Sequence, residues 1–153
     1  MASAFWTLED GRGMARRWTS MSYMLELITD ELKNIDGAED FYKYLEGFVY
    51  REEKGDFPNG FGGFIRGNNN ESVLLNLDLR TFASQNRIYF WKAAQNALQK
   101  LKLENNDDNN GIESLFILLL DMHKRYKQGE DPMLLTDFRE IQPEPNEKLG
   151  PGW

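Results

Sequence analysis

Every second residue along positions 73–79 is valine or leucine, and polar residues stand at two of the three positions between them. A repeat of two is typical of a strand with one face in the core. Residues 61–66 precede this segment across the glycine- and asparagine-rich positions 67–70, so we expect the two segments to form a hairpin. The side chains expected in the core are Val73, Leu75, Leu77 and Leu79.

A second hairpin is expected near the beginning of the chain. Residues 4–8 are short, aromatic and β-prone, and the glycines at positions 11 and 13 are a turn signal. Residues 14–18 are then predicted to return as the partner strand.

Apolar residues recur at helical spacing in four further segments, 21–35, 38–47, 84–103 and 112–127. Gly37 is expected to end the first of these helices and Gly129 the last. Residues 115–120 are apolar on nearly every side, which predicts a central position for the last helix, against the 73–79 strand.

These elements predict an α+β fold, with an antiparallel sheet of two hairpins packed against three or four helices. A chain of 153 residues with 41% hydrophobic residues is long enough for one real core. We expect a single globular domain over residues 1–142, followed by an extended, proline-containing tail over residues 143–153.

The formal net charge of −7 limits the classes of partner. It disfavours direct binding to nucleic acid or to an anionic membrane and favours a positively charged protein. No apolar run approaches the length of a membrane span, and a cysteine-free composition fits a reducing compartment. A cytoplasmic location is therefore expected.

The inventory of chemically active side chains is small, because the chain has one histidine and no cysteine. We expect no catalytic residue, no bound metal and no cofactor. His123 is predicted to have a structural role. Surface ion pairing is predicted around the N-terminal turn, where the charged residues are Glu9, Asp10, Arg12, Arg16 and Arg17. The acidic stretch before Gly111 does not fit a calcium loop, since Ile117 stands where the bidentate glutamate is required.

Two polar loops supply the candidate partner-binding residues. Acidic side chains cluster in both, and aromatic residues beside glycines in the first are suited either to anchor a partner or to reach into the core. The candidates are Glu52, Glu53, Asp56, Phe57, Phe61, Asp107 and Asp108.

Three features occur together: the acidic loops, the small catalytic inventory and the segment Phe5-Trp6-Thr7-Leu8-Glu9-Asp10-Gly11. In this general character the chain resembles small acidic immunity proteins, which bind and block one bacterial toxin. It implies a non-catalytic protein that occludes a basic toxin or nuclease. The alternatives are a small enzyme that uses carboxylates and arginine, and an oligomeric scaffold protein.

Overall fold

The computed structural model describes residues 3–9, 13–49, 64–66, 73–104 and 110–129. These ranges form a mixed α/β fold of four helices and one four-stranded sheet. In chain order the elements are β1 (Ser3–Thr7), β2 (Gly13–Arg17), α1 (Trp18–Leu32), α2 (Glu39–Glu46), β3 (Phe64–Arg66), β4 (Val73–Asp78), a 3-10 turn (Leu79–Thr81), α3 (Ser84–Glu104) and α4 (Asn110–Lys127). No helix within these ranges is long and apolar enough to cross a membrane.

The strands lie in the order β2-β1-β4-β3. The β1–β2 and β3–β4 pairs are antiparallel, as the two predicted hairpins require, but β1 and β4 pair in parallel at the centre. The prediction of an antiparallel sheet therefore holds for each hairpin and is wrong at their junction. Antiparallel strands that are close in the chain can pair directly, whereas a parallel pair needs a crossover connection. Helices α1 and α2 lie between β1 and β4 in the chain.

The buried face of the sheet is centred on Trp6. Met14 of β2 and Leu77 of β4 are the register partners of Trp6, and all three side chains are 0–1% exposed. Helix α1 packs against β1 and β2 with Met21, Met24, Leu25 and Ile28 fully buried.

Helix α1, rather than α4, is thus the helix that covers the sheet. Helix α4 packs mainly on α3 through Phe116, Leu119 and Met122, while Ile117 is 46% exposed. The predicted central position of α4 is therefore wrong. The apolar surface of α4 is wider than the part that α3 covers, so residues such as Ile117 remain exposed. Leu77 and Leu79 are buried as expected, and the side chains of Val73 and Leu75 lie outside the described residues.

Glycine is required at two positions of the described fold, Gly13 for lack of space and Gly37 for its backbone conformation. A Cβ at Gly13 would collide with the backbone carbonyl oxygen of Trp6, so the close approach of β2 to β1 admits no side chain there. Gly37 has a φ of +88°, in the left-handed region that favours glycine, and it follows α1 as predicted. Gly129, with a φ of +79°, likewise follows α4.

Candidate functional site

Three side chains from distant parts of the chain meet beside α3. The indole N–H of Trp91 donates a hydrogen bond of 2.7 Å to Oε1 of Glu9. The imidazole ring of His123 stacks on Trp91, with ring centroids 3.8 Å apart and ring planes 13° apart. Nδ1 of His123 lies 3.8 Å from the same Glu9 oxygen. We call these three residues the Glu9 cluster.

The parallel pairing of β1 and β4 brings the cluster together. Thr7 and Asp78 are register partners at the carboxyl ends of these strands, so the segments that follow β1 and β4 leave the sheet at the same edge. Glu9 follows β1 by two residues, and the chain after β4 turns directly into α3, which carries Trp91. Candidate ligand sites of open α/β sheets often lie at such an edge.

An arginine network fixes the turn between β4 and α3. Asp78 accepts three hydrogen bonds of 2.9 Å from Arg80, one from the backbone N–H and two from the guanidinium. Arg87 donates to the carbonyl oxygens of Phe82 and Arg80, at 3.2 and 3.1 Å. These bonds tie the first turns of α3 to the end of β4, and thereby set the direction of the helix that carries Trp91.

The Glu9 cluster buries polar atoms that lack hydrogen-bond partners. The side chain of Glu9 is 9% exposed and that of His123 is 15% exposed. Oε2 of Glu9 and Nδ1 of His123 are covered by protein and have no hydrogen-bond partner among the described residues. Buried polar atoms are nearly always hydrogen-bonded, so this arrangement costs free energy that the packing around it must offset.

Burial sets the protonation state of His123. It lowers the pKa of the imidazole below its usual value of 6.5, and the positive charge of Lys127 lowers it further, while the negative charge of Glu9 acts in the opposite direction. The ring is therefore neutral at neutral pH.

A pocket of about 530 Å³ opens beside the cluster, within the range of small-molecule sites. Its lining residues are Glu9, Arg87, Ile88, Trp91, Lys92, Gln95, His123 and Lys127. A groove of about 690 Å³ between α3 and α4 adjoins it, and Gln95, His123 and Lys127 are common to both.

The candidate partner-binding residues all lie outside the described residues. Glu52, Glu53, Asp56, Phe57 and Phe61 belong to the segment between α2 and β3, and Asp107 and Asp108 belong to the segment between α3 and α4. The 143–153 tail also lies outside the described ranges. Within those ranges no group of three or more histidine, cysteine, aspartate or glutamate side chains is placed to hold a metal ion.

The prediction of surface ion pairing is wrong for Glu9, and Asp10 and Arg12 lie outside the described residues. Glu9 turns inward to Trp91, although 82 residues separate the two in the chain, and its side chain is nine-tenths buried. Sequence reasoning had no spacing signal for this pairing, because it depends on the parallel register of β1 and β4. His123 stood out in the sequence only because the chain has a single histidine.

Comparison of the chain with protein-family models, with curated proteins and with solved structures finds no match. The function is therefore inferred from the chemistry and the geometry of the chain itself.

Proposed function

We propose that the protein is a non-catalytic binding protein of the immunity or inhibitor type, which occludes a basic partner such as a toxin or nuclease. The observation that carries the proposal is the uneven distribution of charge. The described ranges hold 13 of the 18 lysines and arginines but only 12 of the 25 aspartates and glutamates. The excess of acidic residues thus belongs to positions outside these ranges, among them Glu52, Glu53, Asp56, Asp107 and Asp108.

Acidic residues that are grouped at a few positions along the chain suit a protein that captures a cationic surface. A nuclease presents positive charge where it binds phosphates, and acidic side chains that fill this groove compete directly with its substrate. The long-range attraction accelerates the encounter. Phe57 and Phe61 are the proposed aromatic anchors at the centre of the contact.

The environment of His123 supports a structural role for this residue. The only histidine of the chain is stacked on Trp91, and its Nδ1 is covered by protein. A binding protein with no cysteine also fits a reducing compartment, and we propose that it acts in the cytoplasm.

One observation favours a second candidate, a small enzyme that uses carboxylate and arginine chemistry. Glu9 and His123 lie together at a pocket that Arg87 also lines, and a carboxylate beside an imidazole is a recurring arrangement in acid–base catalysis. We rank it second because Nδ1 of His123 and Oε2 of Glu9 are both covered by protein.

The test is affinity capture from the source cell, followed by an activity assay of the captured protein. We expect a basic protein that loses activity in a stoichiometric complex. The variant D107K/D108K should capture much less of it, and so should E52K/E53K.

The matched control is D36K/D40K, which makes the same change in net charge at exposed positions of the described fold. It should capture the partner as the unmodified protein does. Equal capture by all variants, or a partner that remains fully active in the complex, would contradict the proposal.

A further inference from the structure

The pocket beside the Glu9 cluster differs in charge from the protein as a whole. The chain carries a formal net charge of −7, yet the described residues that line this pocket include Arg87, Lys92 and Lys127 and a single carboxylate, that of Glu9. The adjoining groove repeats the pattern, because Lys102 and Lys124 line it together with Lys127. Asp121, the one carboxylate among its described lining residues, is already paired with Arg125 at 3.3 Å.

The positive charges of the pocket are not neutralised within the described part of the chain. The guanidinium of Arg87 donates to two backbone carbonyl oxygens, which are dipoles and carry no net negative charge. Lys92 and Lys127 are exposed and form no ion pair with a described residue. Lys127 is close enough to His123 to lower the pKa of the imidazole.

Glu9 and His123 line this pocket together. The Glu9 side chain is nine-tenths buried at the pocket wall, and its Oε2 is covered by protein. Nδ1 of His123 is covered as well, although 15% of the His123 side chain is exposed. The exposed part of the imidazole is therefore another part of the ring.

The local charge decides the sign of the ligand. A cationic group would meet three positive side chains and one carboxylate that already accepts a bond from Trp91, whereas an anionic group would meet three potential partners. We propose that this pocket binds the phosphate or carboxylate group of a small molecule through Lys92, Lys127 and His123, with Glu9 and Trp91 holding the imidazole in place. This site is independent of the acidic segments that the proposed function uses.

The geometry gives the binding a dependence on pH. A bound anion favours the protonated imidazole, whose Nδ1 faces Glu9, so binding is accompanied by proton uptake and tightens as the pH falls through the titration of His123. The charged groups around the pocket include Glu9 after β1, Arg87 and Lys92 on α3, and Lys127 on α4, beside Lys124.

The experiment uses the full chain and two probes, inorganic phosphate and succinate, which separate a phosphate ligand from a carboxylate ligand. The ring-proton NMR signals of His123 are followed during each titration, and they are readily assigned because the chain has one histidine. We expect at least one probe to shift these signals and to saturate. The variants K92Q and K127Q should each weaken this binding about tenfold, as expected for the loss of one charged hydrogen bond.

The matched control is K43Q, because Lys43 is an exposed lysine on α2 and does not line the pocket. It should bind the probe as the unmodified protein does, and thermal melts should show all three variants folded. Shifts that grow linearly without saturation for both probes would overturn the proposal. Saturable binding that K92Q and K127Q leave unchanged would also overturn it, because the anion would then bind elsewhere.

Discussion

His123 stacks on Trp91 with the ring centroids 3.8 Å apart, and this contact joins the outer helix α4 to the core. Trp91 in turn meets Phe90 edge-on at 5.2 Å, and Phe90 meets Trp6 of the sheet at 5.9 Å. A continuous series of rings thus runs from α4 through α3 to β1. Offset and edge-on aromatic pairs contribute about 0.5–1.5 kcal/mol each beyond the area that they bury.

The first prediction concerns the two charges that act on His123. Removing the negative charge in E9Q should lower the pKa of His123 further, and removing the positive charge in K127Q should raise it. An NMR titration of the single imidazole measures both shifts. A pKa that moves in the same direction in the two variants would show that the charge arrangement around the ring is wrong.

The second prediction follows from the lowered pKa of His123. Since the folded protein binds this proton less readily than the unfolded chain does, the neutral ring contributes stability that is fully present above the unfolded pKa of 6.5. This contribution is lost as the pH falls through the lower pKa of the folded state. Denaturant unfolding over this range should therefore show a smaller pH dependence in H123Q, and an unchanged dependence would argue that His123 is not buried in its neutral form.

The third prediction tests the buried face of the sheet. Leu77 is 1% exposed and lies beside Trp6 in the register of β1 and β4, so L77A should lower the free energy of unfolding by about 2–5 kcal/mol. Ile88 is 59% exposed, and I88A is the matched control, with an expected change within about 0.5 kcal/mol. Equal effects of the two substitutions in urea unfolding would contradict the assignment of the core face.

The fourth prediction compares two glycines. In G13A the new methyl group would collide with the backbone of β1, and we expect a loss of about 1–3 kcal/mol in the free energy of unfolding. Gly111 has no atom near its ideal Cβ position and lies in the first turn of α4, so G111A should be neutral or should gain up to about 1 kcal/mol. A G13A protein as stable as G111A would show that β2 does not approach β1 this closely.

The local features of the fold could be predicted from the sequence. The alternation along β4, the helical spacing of the four helices and the helix ends at Gly37 and Gly129 depend only on residues that are close in the chain. These elements therefore occur near the predicted positions. The beginning of α1 was missed because the helix follows β2 directly, and Arg17 stands at its N-cap without a side-chain capping bond.

The long-range features could not be predicted in the same way. The parallel junction of β1 with β4 depends on how two hairpins pack together, which neither strand pattern encodes. The contact of Glu9 with Trp91 depends on that junction, so the pattern around Glu9 indicated only a surface turn. The role of α1 as the covering helix was likewise missed, because the sequence marks α4 as more continuously apolar.

If acidic residues attract a basic partner, the rate of association with the captured partner should depend on charge. Stopped-flow measurements at about 0.01 M and about 0.15 M salt change the screening length from about 30 Å to about 8 Å. We expect the rate to fall at the higher salt, and D107K/D108K and E52K/E53K to slow association several-fold at the lower salt. A rate that responds neither to salt nor to these reversals would show that the acidic residues do not steer the encounter.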